Sequence, residues 1–179
     1  MKRLSNHLTD IWPKLIKGFE EHINKIWEST YFETFSEWKK SQDTQTVTQT
    51  LSGIFNAYLK KELKNIGFHL KAGKRMDYLW DDIEIEGKLS CSVSESWTGN
   101  GFPKTNWHLL IKLSFNSDGL LNGSFVCLVP LNECLSSWTK SGEKDNFSSL
   151  KLRKEDLEKI FLIWGQFKKN PTYLKPIFV

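Results

Sequence analysis

The sequence predicts an α/β protein of the α+β type, in which helices flank a central mixed, mostly antiparallel sheet. Apolar residues have helical period in the first third of the chain and again near its end, and strand-like segments separated by turn residues lie between them. The chain has 179 residues, 39% of them apolar, with 8 Trp and 12 Phe, which is enough to build one hydrophobic core. We therefore expect a single domain over residues 1–179.

The predicted helices come first. Apolar residues recur every three or four positions over 9–28, which indicates an amphipathic helix with Pro13 in its first turn. Residues 31–38 favour a second, short helix. Helical period returns over 47–66, and Gly67 supplies a left-handed stop after it.

The middle of the chain is typical of a sheet. Its predicted strands are residues 67–70, 75–80, 83–93, 107–115 and 120–131. Residues 125–129 are apolar on both alternations, so we expect a central strand with helices covering both faces of the sheet. Residues 152–169 regain helical period, which predicts a C-terminal helix.

Composition limits the function classes. There are 25 Lys and Arg against 21 Asp and Glu, a mild excess that is compatible with a polyanionic partner. Three cysteines without CxxC spacing argue against a disulfide framework and a structural zinc site.

No apolar run is long enough to cross a bilayer and the N-terminus lacks a signal peptide, so we expect a cytoplasmic protein with no membrane association. The motifs of serine hydrolases, P-loop proteins and zinc hydrolases are missing from the sequence.

The most informative stretch carries several acidic residues. Asp77 lies nine residues before Glu86, and a strand, a tight turn at residues 81–82 and a returning strand would bring the two carboxylates together. Asp77, Glu86 and the Gly87 carbonyl then offer the oxygen ligands that a hard cation such as Mg²⁺ takes. Lys88 falls on the same strand face as Glu86, where it could orient or deprotonate an attacking water. The alternative interpretation is an ordinary solvated strand face.

These residues resemble the PD-(D/E)xK nucleases, and among them the type II restriction endonucleases. The resemblance consists of Asp77 after a helix and a short strand, Glu86-Gly87-Lys88 as the (D/E)xK triplet, and two further strands. Met76 stands where the motif has proline. The resemblance implies a single nuclease domain: an N-terminal helical part (1–46), a restriction-endonuclease-like catalytic core (47–131) and a C-terminal loop and helix (132–179).

The resemblance also implies a chemistry. Mg²⁺, with Mn²⁺ as a substitute, would activate water for attack on a DNA phosphodiester, with Asp77 and Glu86 as metal ligands and Lys88 as the catalytic lysine. Glu84, two residues before Glu86 on the same face, could bind a second metal or extend the water network. The neighbouring acids at 81, 82 and 84 leave other carboxylate pairings open.

A long loop after the predicted catalytic strand mixes amide, hydroxyl, lysine and tryptophan groups, which suit phosphate and base contacts. A loop that is merely anchored by its tryptophan is an equal alternative. The predicted DNA-binding residues, including two basic residues just before Asp77, are Lys74, Arg75, Ser94, Trp97, Asn100, Lys104 and Asn106.

We therefore expect a homodimeric type II restriction endonuclease that cuts double-stranded DNA at a short specific site, since two cuts need two active sites. One alternative is a small catalytic subunit of a heterodimeric restriction or nicking enzyme, in which a larger subunit reads the sequence. A repair nuclease or junction resolvase is another. The alternative of a different class is a non-catalytic nucleic-acid-binding module.

Overall fold

A computed structural model describes residues 1–65, 77–92, 94–100, 105–134, 138–141, 147–169 and 172–179. Three α-helices come first: α1 (Lys2–Tyr31), α2 (Phe35–Ser41) and α3 (Thr44–Asn65). They confirm the three predicted N-terminal helices, with shifted ends. The predicted strand at 67–70 and the stop at Gly67 lie outside the described residues.

Helix α1 begins earlier than predicted, so Pro13 lies inside it and not in its first turn. Leu4 and Leu8 are buried and extend the apolar stripe of Trp12 by two turns, which favours a longer helix. Pro13 is exposed, and so is Thr9, whose carbonyl loses its helical donor to the proline. Water can bond that carbonyl, and the packed face of the helix is undisturbed.

The described strands are β1 (Tyr78–Trp80), β2 (Ile83–Ser90), β3 (Trp97–Asn100), β4 (Trp107–Phe115), β5 (Leu121–Pro130), β6 (Trp138–Ser141), β7 (Phe147–Leu150), β8 (Phe161–Trp164), β9 (Gln166–Lys169) and β10 (Leu174–Ile177). Five of them form the main sheet in the order β1-β2-β4-β5-β8. Strands β2 and β4 are parallel and the other neighbours are antiparallel, which confirms an α+β fold with a mixed, mostly antiparallel sheet.

Each face of the main sheet carries its own hydrophobic core. Helices α1 and α3 cover one face, where Leu109, Ile111 and Val126 are buried. The other face, which we call the second face, buries Leu110 and Cys127 against β3, β7 and β10. Among the described residues, α-helices cover the first face, whereas strands and a short 3-10 helix (Lys154–Lys159) cover the second. The segment 125–129 is fully buried in β5, as predicted for a central strand.

The predicted helix at 152–169 is also wrong. A short 3-10 helix (Lys154–Lys159) is followed by β8 and β9, which meet at Gly165. Gly165 has a φ of 90°, and a Cβ there would lie 2.7 Å from the Ile177 carbonyl oxygen. Only glycine tolerates both conditions, so the chain bends there and continues as strand. Strand β8 then pairs with β5, whose free edge a helix would have left open.

The other strand predictions hold within a few residues. The predicted strand 107–115 matches β4, and 120–131 matches β5 to within one residue at each end. Strand β2 ends at Ser90, three residues before the predicted end, and β1 is described only from Tyr78. None of the described helices combines the length and the apolar character that a membrane crossing requires.

Candidate active site

A two-residue turn sets the register of the β1–β2 hairpin. Asp81 and Asp82 have φ values of 44° and 64°, as a type I′ turn requires. The strands pair from this turn outward, ending with Tyr78 opposite Ile85. Asp77 immediately precedes the last of these pairs, so continuing the register by one step would set it opposite Glu86, on the same face of the sheet. The turn brings the two predicted carboxylates to the open end of one hairpin.

Asp77 lies against the backbone of the predicted triplet. The N–H of Gly87 donates a hydrogen bond to Asp77 Oδ2 at 2.9 Å. The N–H and C=O of one strand residue point to the same side of the strand, so the Gly87 carbonyl also leaves β2 on the side of Asp77. One carboxylate oxygen of Asp77 is engaged in this bond, and the other is available to a ligand.

The Glu86 carboxylate contacts two nitrogen-bearing side chains. Lys88 Nζ donates a hydrogen bond to Glu86 Oε1, and His108 Nε2 lies 3.3 Å from Glu86 Oε2. The parallel pairing of β2 with β4 places Glu86 directly beside His108. The side chains of Glu86 and Lys88 are 19% and 18% exposed, and His108 is fully buried. The cluster therefore has an open polar side and a buried floor.

These contacts keep Glu86 ionised. Burial alone would raise the pKa of its carboxyl, but the close approach of His108 and the hydrogen bond from Lys88 outweigh it and lower the pKa from 4.5 to about 2. A carboxylate with this pKa is negatively charged throughout the physiological pH range. Glu86 can therefore offer oxygen lone pairs to a cation without first losing a proton.

Gly87 is closely packed on the helix side of the sheet. A Cβ at this position would lie 3.0 Å from the Tyr78 ring and 3.2 Å from Asn56 Oδ1. Tyr78 donates a hydrogen bond from its hydroxyl to that Asn56 oxygen, which links β1 to α3. A larger residue would press on this contact and shift the strand that carries Glu86 and Lys88.

The donor set fits a hard divalent cation. Asp77 and Glu86 supply two carboxylates and Gly87 a carbonyl, and Mg²⁺ in proteins usually takes one or two carboxylates and fills its remaining positions with water and substrate oxygens. No group of three His, Cys, Asp or Glu side chains that could hold a metal ion occurs in the part of the chain that the structure describes. Two carboxylates suit a cation that keeps most of its water ligands. They suit less well a cation that is surrounded by protein ligands.

The other predicted acidic positions lie nearer the turn. Glu84 is exposed, and its backbone carbonyl accepts a hydrogen bond from Thr105 Oγ1 at 2.8 Å. Asp81 and Asp82 form the turn itself, at the opposite end of the hairpin from Asp77. Of the pairings that the sequence leaves open, Asp77 with Glu86 is the one at the open end of the hairpin, where Asp77 accepts the N–H of Gly87, the residue next to Glu86.

The predicted DNA-binding residues have different environments. Ser94 is exposed. Trp97 is only 1% exposed and donates from Nε1 to the Ile111 carbonyl at 3.0 Å, so its assignment as a DNA contact is wrong: the side chain packs in the core of the second face. Asn106 Oδ1 accepts the backbone N–H of Asn132 at 3.0 Å, which ties the start of β4 to the 3-10 helix after β5.

The remaining predicted contacts lie beyond what the structure describes. Lys74, Arg75 and Lys104 fall outside the described residues, and of Asn100 only the backbone is described, as the last residue of β3.

Sequence reasoning missed a buried lysine next to the site. Lys112 is fully buried in β4 and donates to the carbonyls of Ser96 at 2.9 Å and Ser92 at 3.2 Å. Its Nζ also lies 4.6 Å from the centre of the Trp97 ring. Burial lowers the pKa of Lys112 to about 8. Lys112 therefore holds the segment that follows β2 in place. In the sequence, its burial is indicated only by its position as a single charged residue within an apolar strand.

The site thus presents the carboxyl groups of Asp77 and Glu86 and the side-chain nitrogen of Lys88 at one end of the β1–β2 hairpin. This combination can hold a cation and stabilise negative charge that develops on a substrate. No protein-family model and no curated protein sequence matches the chain. Function is therefore inferred from the chemistry of the site.

Proposed function

We propose that this chain is a Mg²⁺-dependent endonuclease that hydrolyses DNA phosphodiester bonds. The observation that carries the proposal is the placement of Asp77, Glu86 and Lys88 together on one end of the β1–β2 hairpin. Metal-assisted phosphodiester hydrolysis uses a cation at the phosphate and a donor for the developing charge, and these three residues would supply the protein part of both.

Asp77 and Glu86, with the Gly87 carbonyl, would hold the cation, for which Mn²⁺ is a substitute. When bound, the cation supplies Lewis-acid polarisation of the phosphate and lowers the pKa of water. Lys88 is held by Glu86 at the rim of the site, where its ammonium can donate hydrogen bonds to a phosphate oxygen. His108 and the neighbouring core residues close the inner side against water.

Double-stranded DNA is the proposed substrate, and a homodimer of the type II restriction kind is the proposed assembly. Ser94 and the basic residues Lys74, Arg75 and Lys104 remain the proposed DNA contacts, with Asn100 and Asn106 as candidates for contacts to base edges. A catalytic subunit that works with a larger sequence-reading subunit, and a repair nuclease or junction resolvase, use the same site chemistry.

One observation favours a second candidate, a non-catalytic nucleic-acid-binding module. Both oxygens of Glu86 contact groups of the chain itself, Lys88 and His108. A carboxylate whose charge is already balanced by such neighbours can have a purely structural role and needs no metal. The two candidates therefore differ in whether the protein binds a divalent cation.

Calorimetric titration with Mn²⁺ separates the candidates. We expect the parent to bind Mn²⁺, and Asp77→Asn and Glu86→Gln to weaken that binding at least tenfold. Both replacements are close in shape, and Asp77→Asn retains an oxygen that can accept the Gly87 N–H, so folding should survive. Asp118→Asn is the matched control, because Asp118 is an exposed carboxylate in the β4–β5 turn. A parent that binds no Mn²⁺ favours the non-catalytic module.

A further inference from the structure

His108 occupies a position where an apolar side chain would be expected. It lies on the second face of the main sheet, opposite Val129 in β5 and two residues from Leu110 in β4, and all three are fully buried. Burying an imidazole among such neighbours is costly unless a polar partner compensates for the lost water. The Glu86 carboxylate, with Oε2 3.3 Å from Nε2, supplies a polar partner.

The two contacts of Glu86 constrain its carboxylate differently. Lys88 reaches one oxygen from the solvent side with a long, partly exposed and flexible side chain. His108 faces the other oxygen from the buried side, on a strand that lies between β2 and β5 in the middle of the sheet. A side chain packed in the core has less freedom than a lysine at the rim. The direction of the carboxylate is therefore set mainly by His108.

We infer that His108 is a positioning residue that holds the Glu86 carboxylate in the orientation in which it receives the divalent cation. The inference rests on the proposed function and adds a residue to it. His108 acts through Glu86, since Glu86 lies between it and the open side of the site. Residues that orient a metal ligand typically contribute 10- to 100-fold to metal affinity or activity.

Two replacements of His108 separate positioning from packing. His108→Leu removes the contact and places an apolar side chain among apolar neighbours, so we expect the variant to fold and its Mn²⁺ affinity to fall roughly 10- to 100-fold. His108→Gln places an amide N–H donor near the position of Nε2 and should restore affinity to within about threefold of the parent. Unchanged affinity in His108→Leu overturns the inference. Equal loss in both variants also overturns it, because a packing role would then explain the effect.

A measurement without metal keeps the test independent of the proposed function. A double-mutant cycle with Glu86→Gln and His108→Leu reports whether the two residues are coupled in unfolding of the metal-free protein. We expect the coupling to be at least fivefold in the unfolding equilibrium constant, and additive effects would overturn the contact itself. If the cycle shows coupling but the parent binds no Mn²⁺, the proposed function fails, and with it the metal-orienting role of His108.

Discussion

At the scale of single residues, Glu86 is the centre of the proposed site. Its pKa of about 2 depends on two partners that reach different oxygens. Because the folded pKa lies below 4.5, the stabilisation from these contacts is present in full above about pH 4.5 and is lost as the pH falls towards 2. The charge that the proposed metal site needs is therefore stable at neutral pH.

Lys88 gives the first prediction. Lys88→Ala should slow single-turnover cleavage severely and leave Mg²⁺ and DNA binding in place, since the ammonium acts on the transition-state charge and is not a metal ligand. Lys175→Ala is the control, because Lys175 is exposed on β10. A Lys88→Ala rate within about threefold of the parent would mean less than roughly 1 kcal/mol of transition-state stabilisation and would remove this residue from the mechanism.

The second prediction concerns the buried Lys112. Its folded pKa of about 8 lies below the ordinary 10.5, so between these pH values the unfolded chain holds a proton that the folded chain has released. Stability therefore rises with pH through this group. The difference in unfolding free energy between the parent and Lys112→Met should shift in favour of the parent as the pH rises from 8 to 10.5.

Urea unfolding at several pH values measures this shift, with Lys175→Met as the exposed control. Comparison with a variant cancels the contribution of ionisable groups that do not interact with Lys112. A difference that does not change with pH is incompatible with an ammonium buried by folding.

The sequence could predict which site residues lie together when those residues belong to one hairpin. Asp77, Glu86 and Lys88 lie within one hairpin, so counting from its turn was sufficient to bring them together. The contact of His108 with Glu86, in contrast, depends on a parallel pairing across the segment 91–106. No local pattern specifies that register, and the same is true of Lys112.

At the scale of elements, the β1–β2 turn gives the third prediction. Asp81 and Asp82 both hold positive φ, which non-glycine residues adopt at a cost. Replacing them by Asn-Gly, the preferred type I′ pair, should stabilise the protein by roughly 0.5–1 kcal/mol and leave the register unchanged. Replacement by Asn-Asn changes the charge equally and is the control. If the two double variants are equally stable, strain at residue 82 is not significant.

Helix α1 gives the fourth prediction. Pro13 is exposed in the helix interior, where it removes one backbone hydrogen bond. Pro13→Ala should raise the unfolding free energy by about 1–3 kcal/mol, because the N–H returns to Thr9 and no packing is lost. Chemical denaturation measures the change, with Lys14→Ala next to it as control. A less stable Pro13→Ala variant would show that the helix does not continue through this position.

The C-terminal segment 152–169 shows why a helix was predicted where the chain forms two strands. Phe161, Trp164 and Phe167 suit a helical stripe, but they also suit two short strands broken by a bend. Gly165, in the middle of that stripe, was the available signal, since an interior glycine disfavours helix. Predicting strands here also requires knowing that the edge of β5 needs a pairing partner. That information comes from the tertiary structure and not from the local sequence.

At the scale of the whole molecule, the sheet separates two cores, and the proposed site lies at the edge of the second face. The first core could be predicted because the apolar stripe of a long amphipathic helix shows which of its residues pack against the sheet. The second core is built from short strands far apart in sequence, β3, β7 and β10, whose patterns are too brief to detect. The second face matters for function because it buries His108 and Lys112 and leaves Glu86 and Lys88 at its rim.

Cleavage of supercoiled plasmid DNA tests the central claim most directly. We predict that the purified chain converts the plasmid to nicked or linear DNA in Mg²⁺ or Mn²⁺, that a chelator stops the reaction, and that Asp77→Asn and Lys88→Ala abolish it. Asp118→Asn should cleave like the parent. Intact plasmid in both metals at a protein concentration that binds DNA, or cleavage that persists in Asp77→Asn, would contradict the account.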